Sequence, residues 1–141
     1  MVTPGLGTNA VVETPPAPPD EALRHFERLL AFETDCADVH ESMSSGVPGF
    51  VLLDVRGREA FDAGHVEGAV NLPHDNITAQ ALPGYTSGTF YVVYCAGPHC
   101  NGADKAAARI AALGRPVKKM IGGATGWLDE GFPFVPTSMG D

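Results

Sequence analysis

The sequence predicts an α/β protein, a sandwich in which helices cover both faces of a mainly parallel central sheet. Two runs, "FVLLDV" at 50–55 and "FYVVYC" at 90–95, are continuously apolar, which is typical of strands buried on both faces of a parallel sheet. The second run is followed by an alanine-rich helical pattern at 102–114 and by another strand candidate at 117–121. Strand, helix and strand in that order form a βαβ unit.

The first 19 residues differ in composition from the rest of the chain. They are rich in Pro, Gly and Thr and end in "TPPAPP", so they offer few apolar contacts to offset the entropy lost on ordering. We expect residues 1–19 to form a flexible arm. Residues 20–141 then form a single domain that includes an N-terminal helix, because a chain of this length can bury a substantial core.

Three further helices and one short strand complete the predicted elements. Asp20 is a candidate cap for the helical pattern "EALRHFERLLAFE", whose apolar residues share one stripe: Leu23, Phe26, Leu29 and Leu30. Thr34 or Asp35 can cap a shorter second helix. A last short helix, in "TGWLDEGF", ends at Gly131, and "AVNL" at 69–72 is the additional strand candidate.

The charge balance excludes two classes of partner. A formal net charge of −8 leaves no broad basic surface, so binding to nucleic acid phosphates or to an anionic membrane would act against repulsion. No apolar run is long enough to span a bilayer, and the first residues lack the basic and apolar segments of a secretory signal. Three cysteines at irregular spacing fit a reducing compartment. We expect a cytoplasmic protein without nucleic acid or membrane partners.

Cys95 ends the most apolar strand candidate, and reactive groups of parallel sheets collect in the loops beyond the carboxyl ends of strands. The backbone can aim several N–H groups at its sulfur because the next residues are small or turn-forming: Ala96, Gly97, Pro98 and His99. The helix that starts near Asn101 or Gly102 directs its positive end at the same place, which lowers a thiol pKa. Cys95 is therefore the candidate catalytic nucleophile, and the alternative is a small buried residue at a strand end.

Several segments repeat a known pattern in the same order along the chain: "LLDVR" at 52–56, "EAFDAGHVEGAVNLP" at 59–73, "VVYC" at 92–95, "KAAARIAALG" at 105–114 and "IGGATGWLDEGFP" at 121–133. Over about residues 37–132 the sequence thereby resembles the rhodanese-like (sulfurtransferase) family. The resemblance implies a three-layer sandwich around a mainly parallel sheet. It also implies that the cysteine before the helix carries a persulfide during sulfur transfer, and Cys95 stands at that position.

The loop "CAGPHC" departs from the common form of the family. Many members carry Arg, Lys, Ser or Thr in a six-residue loop that begins with the cysteine, whereas this loop has no permanent cation. Cys100 stands where a loop Arg is often found, and the distance from Cys95 to Lys105 is about two residues longer than in the common form. These departures weaken the case for thiosulfate as the sulfur donor.

The residues between Cys95 and the helix are the predicted substrate-binding loop: Ala96, Gly97, Pro98, His99, Cys100 and Asn101. Cys100 is either a resolving thiol that closes on an oxidised or persulfidated Cys95, or a helix-start residue whose N–H helps to bind an anion. His99 either assists proton transfer or faces solvent. Cys95, His99 and Cys100 lack a convincing fourth ligand, so we expect no metal.

Other polar residues are expected to have structural roles. Asp54 and Arg56 can form an ion pair that also involves Glu59 and braces the floor of the loop. His65 in "GHVEGA" is expected to be a hydrogen-bonded architectural histidine, and Cys36 a packing residue. Three glycines near the end are expected to form a turn that packs near the loop: Gly122, Gly123 and Gly126.

We therefore predict a sulfurtransferase that moves sulfane sulfur through a Cys95 persulfide to a thiol or another nucleophilic acceptor. Its partners would be a small sulfur donor and a thiol or protein acceptor, and the chemistry needs no metal or organic cofactor. One alternative is a noncatalytic or redox-sensing protein-interaction module, which the cysteine pair permits. The other is a phosphatase or arsenate reductase, which the missing loop Arg disfavours because a tetrahedral dianion normally requires a forked Arg.

Overall fold

The computed structural model describes residues 9–137, which fall into two compact units with a boundary between Ala31 and Phe32. The second unit contains the central sheet and Cys95. The flexible arm at 1–19 and the single domain at 20–141 stay predictions.

The first unit consists of two helices, α1 (Ala10–Glu13) and all but the last residue of α2 (Pro19–Phe32). The side chain of Asn9 caps α1, because its carbonyl oxygen accepts hydrogen bonds from two N–H groups of the first turn. The helix expected from the apolar stripe is present as α2. It begins two residues earlier than predicted, so Asp20 lies in its first turn, where a carboxylate is favourable, instead of at the cap.

The second unit alternates strands and helices. Within residues 32–137 the strands are β1 (Glu33–Thr34), β2 (Val51–Asp54), β3 (Val70–Asn71), β4 (Tyr91–Tyr94) and β5 (Val117–Met120). The helices are α3 (Cys36–Ser44), α4 (Arg58–Ala63), α5 (Gly102–Ala112) and α6 (Gly123–Asp129), with 3₁₀ turns at His74–Asn76 and Tyr85–Ser87. Asp35 caps α3 by accepting a hydrogen bond from the Asp38 N–H at 2.8 Å, which decides between the two predicted caps.

The sheet has the strand order β1-β5-β4-β2-β3, and every neighbouring pair is parallel. Val93 of β4 pairs with Leu53 of β2 on one side and with Lys119 of β5 on the other, so β4 is the central strand. This arrangement confirms the predicted α/β fold and its βαβ unit, formed by β4, α5 and β5. The two-residue strand β1 was not predicted, because so short a strand carries no periodicity.

Side chains of β2 and β4 alternate between two buried layers, which explains why both runs are continuously apolar. On one face of the sheet, Leu53 and Val93 pack with Ile110 of α5. On the other face, Leu52 and Val92 pack with residues of α3 and α6: Val39, Ala124 and Trp127. Helices therefore cover both faces of the sheet, and three layers result.

A buried ion pair lies at the carboxyl ends of β2 and β4. The Asp54 carboxylate is fully buried and accepts hydrogen bonds from the Arg56 guanidinium at 2.6–3.1 Å and from the Tyr94 hydroxyl at 2.6 Å. Arg56 also donates to the Gly64 carbonyl at 2.7 Å. The predicted pair is confirmed, with Tyr94 as its third member, whereas Glu59 is exposed. These donors compensate the desolvation of the carboxylate.

His65 has the architectural role expected of it. Its ring is buried and stacks on Phe61 with a centroid separation of 3.7 Å, and its Nδ1 lies 2.7 Å from the Phe61 carbonyl oxygen. Its backbone exchanges two hydrogen bonds with Val135. His65 thus fastens the end of the described chain to the turn after α4.

Candidate active site

Cys95 is the first residue after the central strand β4, at the carboxyl edge of the sheet. Its side chain is 6 % exposed and belongs to the apolar layer beneath α5, together with Val93 and Ala103. The loop from Ala96 to Asn101 then leads into α5, which begins at Gly102 as predicted. Cys95 therefore lies between a rigid strand and the N-terminus of a helix, the location expected for a reactive group.

The loop after Cys95 is fastened to α6. The Cys95 carbonyl accepts a hydrogen bond from the Ala124 N–H at 2.9 Å, and the Ala96 carbonyl accepts one from the Thr125 N–H at 3.0 Å. Gly123 allows this close approach, since a Cβ there would stand 2.5 Å from the Cys95 carbonyl oxygen, and its φ of +59° is unfavourable for other residues. The three glycines lie in the segment that packs beside the loop, as predicted, but Gly122 alone of them is in a turn, since Gly123 and Gly126 belong to α6.

The Cys100 side chain contacts that of Cys95 and carries the same reactive group, a thiol. The two Sγ atoms lie 2.9 Å apart and share a hydrogen bond, and the Gly102 N–H donates to Cys100 Sγ at 3.4 Å. A hydrogen bond from the Cys100 N–H to the Gly97 carbonyl, at 3.0 Å, closes the turn that brings the sulfurs together. Because both cysteines are free thiols, the pair can share one proton or form a disulfide.

Of the two thiols, Cys100 ionises more easily. Burial, and then the hydrogen bond to Cys100, raise the pKa of Cys95 to about 11. The same bond, donated by Cys95, and the Gly102 N–H lower the pKa of Cys100. The prediction that the helix end lowers the Cys95 pKa is therefore wrong for the resting protein. The reason is that the first N–H of α5 points at the more exposed sulfur, Cys100, while Cys95 is desolvated in the core.

The remaining members of the predicted substrate-binding loop differ in exposure. The Ala96 backbone N–H acts to lower the pKa of both thiols, as expected of a donor in the predicted anion cradle. Gly97 packs against the Thr125 side chain, since a Cβ on it would lie 2.5 Å from Thr125 Oγ1. Pro98, His99 and Asn101 are exposed at the loop surface.

Sequence reasoning missed two residues that the fold brings to the sulfurs. A Cβ on Gly102 would stand 2.6 Å from Cys95 Sγ, 3.2 Å from His74 Cδ2 and 3.3 Å from Cys100 Sγ. The absence of a side chain at Gly102 therefore leaves the space that these three side chains share. A signal for His74 existed, because it follows the strand candidate at 69–72 and loops after parallel strands meet at one edge.

Cys36 lies on the other face of the sheet, in the apolar layer with Val39 and Trp127. Its Sγ is 3.5 Å from the Ile121 carbonyl oxygen, which confirms the packing role expected for it.

Within residues 9–137, no group of three or more His, Cys, Asp or Glu side chains is arranged to hold a metal ion. None of the described helices is long and apolar enough to cross a membrane.

Comparison with known sequences identifies relatives of the domain that holds Cys95. The Rhodanese-like domain matches residues 35–130. The HTH-type transcriptional regulator Rv0324 of Mycobacterium tuberculosis is 36% identical over 93 residues, which cover 64% of this chain and 41% of that regulator. The chain therefore spans less than half the length of this curated relative.

Solved structures show the same architecture. The BH2092 protein from Bacillus halodurans is 37% identical with a TM-score of 0.78, and the match covers 85% of this chain and 88% of that chain. The rhodanese-like domain of the Alr3790 protein from Anabaena sp. is 25% identical with a TM-score of 0.64, covering 74% of this chain and 79% of that chain. With a match that runs from the cap of α3 to the end of α6, this chain belongs to the rhodanese-like domain family.

Proposed function

We propose that the protein is a sulfurtransferase in which Cys95 accepts sulfane sulfur as a persulfide and passes it to a thiol or another nucleophile. The observation that carries this proposal is the sulfur pair, with Cys95 Sγ 2.9 Å from Cys100 Sγ beside the space left by Gly102. Membership of the family supports the class of chemistry. A small sulfur donor, a thiol or protein acceptor, a cytoplasmic location and the lack of a cofactor stay predictions.

In the loading step, the Cys100 thiolate removes the proton that Cys95 shares with it. The electron pair freed on Cys95 forms a bond to the outer sulfur of a donor RSSH, and the bond between the two donor sulfurs breaks. The donor leaves as the thiolate RS⁻, Cys95 holds the persulfide, and Cys100 holds the proton. No net oxidation occurs, because the sulfane sulfur moves from one thiol to another.

In the transfer step, an acceptor thiolate attacks the outer sulfur of the Cys95 persulfide, and the electron pair of the broken bond returns to Cys95. When the acceptor arrives as a thiolate, Cys95 then takes back the proton from Cys100, which restores the resting pair. A competing step uses Cys100 itself: its thiolate attacks Cys95 Sγ, hydrosulfide leaves, and a disulfide remains. The sulfane sulfur is reduced in that step while the two cysteines are oxidised.

A redox-sensing module is the second candidate, and the short separation of the two sulfurs favours it. A disulfide needs an S–S bond of about 2.05 Å, and the two Sγ atoms are 2.9 Å apart, so they have to approach by about 0.9 Å. The relative from Mycobacterium tuberculosis is named a transcriptional regulator, in which a domain of this kind belongs to a longer protein. In this reading the disulfide is the signal and no sulfur is transferred.

A phosphatase or arsenate reductase is disfavoured by the loop. From Cys95 to Asn101 there is no Arg that could grip a tetrahedral dianion with two hydrogen bonds. We expect an aryl phosphate such as p-nitrophenyl phosphate to be hydrolysed at the uncatalysed rate. Turnover that disappears in Cys95→Ser would instead support the phosphatase.

Intact-mass spectrometry of the protein, prepared without reductant and treated with inorganic polysulfide, tests the proposal. The expected result is a gain of one sulfur on Cys95 that a thiol removes and that appears on the thiol as a persulfide. A loss of two hydrogens without any sulfur-loaded species would favour the redox module. Loading that persists in Cys95→Ser would contradict the choice of nucleophile.

A further inference from the structure

The side chain of His74 reaches the cysteine pair from an element that the mechanism above does not use. His74 opens the 3₁₀ turn after β3, and its Cδ2 edge borders the space at Gly102. Cys95 Sγ and Cys100 Sγ border the same space, at 2.6 and 3.3 Å from the position of the missing Cβ. One edge of an imidazole ring and both sulfurs therefore converge at the start of α5.

The ring carries a nitrogen that lacks a hydrogen bond. His74 Nδ1 is buried and lies 3.2 Å from Asp75 Oδ1, within ion-pair distance, yet the angles are not those of a hydrogen bond. Buried polar atoms normally have a partner, so this nitrogen requires an explanation. A half turn of the ring about its Cβ–Cγ bond exchanges Nδ1 with Cδ2, which places the nitrogen at the space that both sulfurs border.

The surroundings of His74 hold its backbone, whereas no hydrogen bond from a described residue holds its ring at Nδ1. Arg109 of α5 donates a hydrogen bond to the His74 carbonyl, and its Nη1 lies 3.4 Å from Asp75 Oδ1. The charged and titratable groups that face the turn are thus Asp75, Arg109 and the two thiols. The His74 side chain is 28% exposed, so a proton on the ring can also reach solvent.

We propose that His74 is the proton carrier for the transfer step when the acceptor is a thiol, an inference that rests on the proposed function. The neutral imidazole takes the proton of the acceptor RSH, and the electron pair left on its sulfur forms a bond to the outer sulfur of the Cys95 persulfide. The bond from that outer sulfur to Cys95 Sγ breaks with its electron pair on Cys95. The imidazolium returns the proton to Cys95, so the products are RSSH and the Cys95 thiol.

The test compares transfer to a thiol, which brings a proton, with transfer to sulfite, which brings none. Each full-length variant is loaded with inorganic polysulfide, freed of excess donor and mixed with 2-mercaptoethanol or with sulfite, at a pH where sulfite is unprotonated. For His74→Gln we expect the loss of sulfur to 2-mercaptoethanol, followed by intact mass, to slow about 10²-fold, the range of general acid–base catalysis. Transfer to sulfite should keep the parental rate. His25→Gln, a histidine of the first unit, is the control and should change neither rate.

Equal slowing with both acceptors would overturn the proposal, since it would mean that His74 only supports the loop, and so would parental rates with both. If His74→Gln does not fold, Asp75→Asn replaces it, because the exposed Asp75 carboxylate lies 3.2 Å from His74 Nδ1. Slower transfer to 2-mercaptoethanol alone is again expected, and parental rates with both acceptors overturn the proposal. A parent protein that takes up no sulfur contradicts the proposed function itself. A parent that loads and discharges, with His74→Gln indistinguishable from it, contradicts only the role of His74.

Discussion

Cys95 and Cys36 are alike by every measure of burial and differ in what their sulfurs face. They are 6% and 4% exposed, and burial is the main cause that raises the pKa of each to about 11. Cys36 Sγ faces two backbone oxygens, those of Ile121 at 3.5 Å and Gly123 at 3.9 Å. Cys95 Sγ faces the sulfur of Cys100 at 2.9 Å.

The difference decides where a proton can go. A carbonyl oxygen accepts a hydrogen bond from Cys36 but does not accept its proton, and the nearby carboxylates of Asp35 and Glu130 disfavour a thiolate there. Cys100 ionises more easily than Cys95 and can take the proton outright. The partner of a buried thiol, more than its burial, therefore distinguishes a candidate nucleophile from a packing residue.

The largest expected effect comes from removing each of the two buried sulfurs in turn. In Cys95→Ser, sulfur transfer should fall to the uncatalysed rate, because an alcohol does not form a persulfide. In Cys36→Ser, transfer should keep the parental rate, since its hydroxyl can still donate to the Ile121 carbonyl. Initial rates from polysulfide to a thiol, with circular dichroism as the check on folding, measure both. Equal rates in the two variants would show that Cys95 and Cys36 do not differ in their contribution to sulfur transfer.

The space at Gly102 provides the next largest effect. In Gly102→Ala the new methyl group would stand 2.6 Å from Cys95 Sγ, so either the sulfur or the start of α5 has to move. We expect loading to slow about 10²-fold, as for other small misplacements of reacting groups. Gly57→Ala is the matched control, because a Cβ there meets nothing within 4 Å. A Gly102→Ala protein that loads at the rate of Gly57→Ala would show that the space has no role.

Cys100→Ser leaves Cys95 without its proton acceptor. The pKa of the remaining thiol is still raised by burial, so loading should require a higher pH than in the parent, where the lowered pKa of Cys100 provides a thiolate nearer neutrality. We expect loading at neutral pH to slow about tenfold, and the two rates to converge at high pH, where Cys95 ionises without a proton acceptor. Stopped-flow loading over about pH 6 to 10 gives the profile. A profile that does not move would show that Cys100 takes no proton.

The same Cys100→Ser variant tests the competing disulfide step. Once loaded at high pH, its persulfide should persist longer than that of the parent, because the nearby thiol that expels hydrosulfide is absent. Intact mass followed over time after removal of the donor measures the lifetime. Identical decay in both proteins would limit Cys100 to the proton-accepting role.

The smallest effect is expected on the face of the sheet that holds Cys36. Tyr94→Phe removes the hydroxyl that donates to the buried Asp54 carboxylate at 2.6 Å, and it leaves Cys95 and its loop in place. We expect the free energy of unfolding to fall by about 1–3 kcal/mol, the cost of a lost donor to a buried acceptor. Urea unfolding measures this loss, and sulfur transfer should stay within about twofold of the parental rate. A large loss of transfer without a loss of stability would mean that the two faces are not separable.

The sequence predicts the central elements of the fold because their signals are local. The apolar runs at 50–55 and 90–95 become β2 and β4, and the alanine-rich pattern becomes α5, each within one or two residues. Short elements such as β1 are stabilised by their neighbours in the sheet and leave no periodicity to read. Cys95 is found at its predicted strand end because strand ends are visible in the sequence.

The chemistry of the site is less visible than its position. Spacing along the loop does not say which sulfur receives the first N–H of α5. The hydrogen bond from Cys95 and this N–H lower the pKa of Cys100, while the pKa of Cys95, which was expected to be lowered, is raised. His74 is missed for a different reason, since its place beside Cys95 depends on the order of β3, β2 and β4 in the sheet. Strand order is a property of the whole fold and has no local signature.

The two hydrogen bonds from α6 to the loop have a consequence for how donors are selected. The N–H groups of Ala124 and Thr125 are occupied by the carbonyls of Cys95 and Ala96, so their exchange with deuterium requires the loop to lift away from the helix. We expect slow exchange at both amides, unchanged while the protein is being loaded. Because Cys95 is 6% exposed beneath a loop that stays closed, we expect donors that are narrow at the sulfur-bearing end to load it faster than bulky donors.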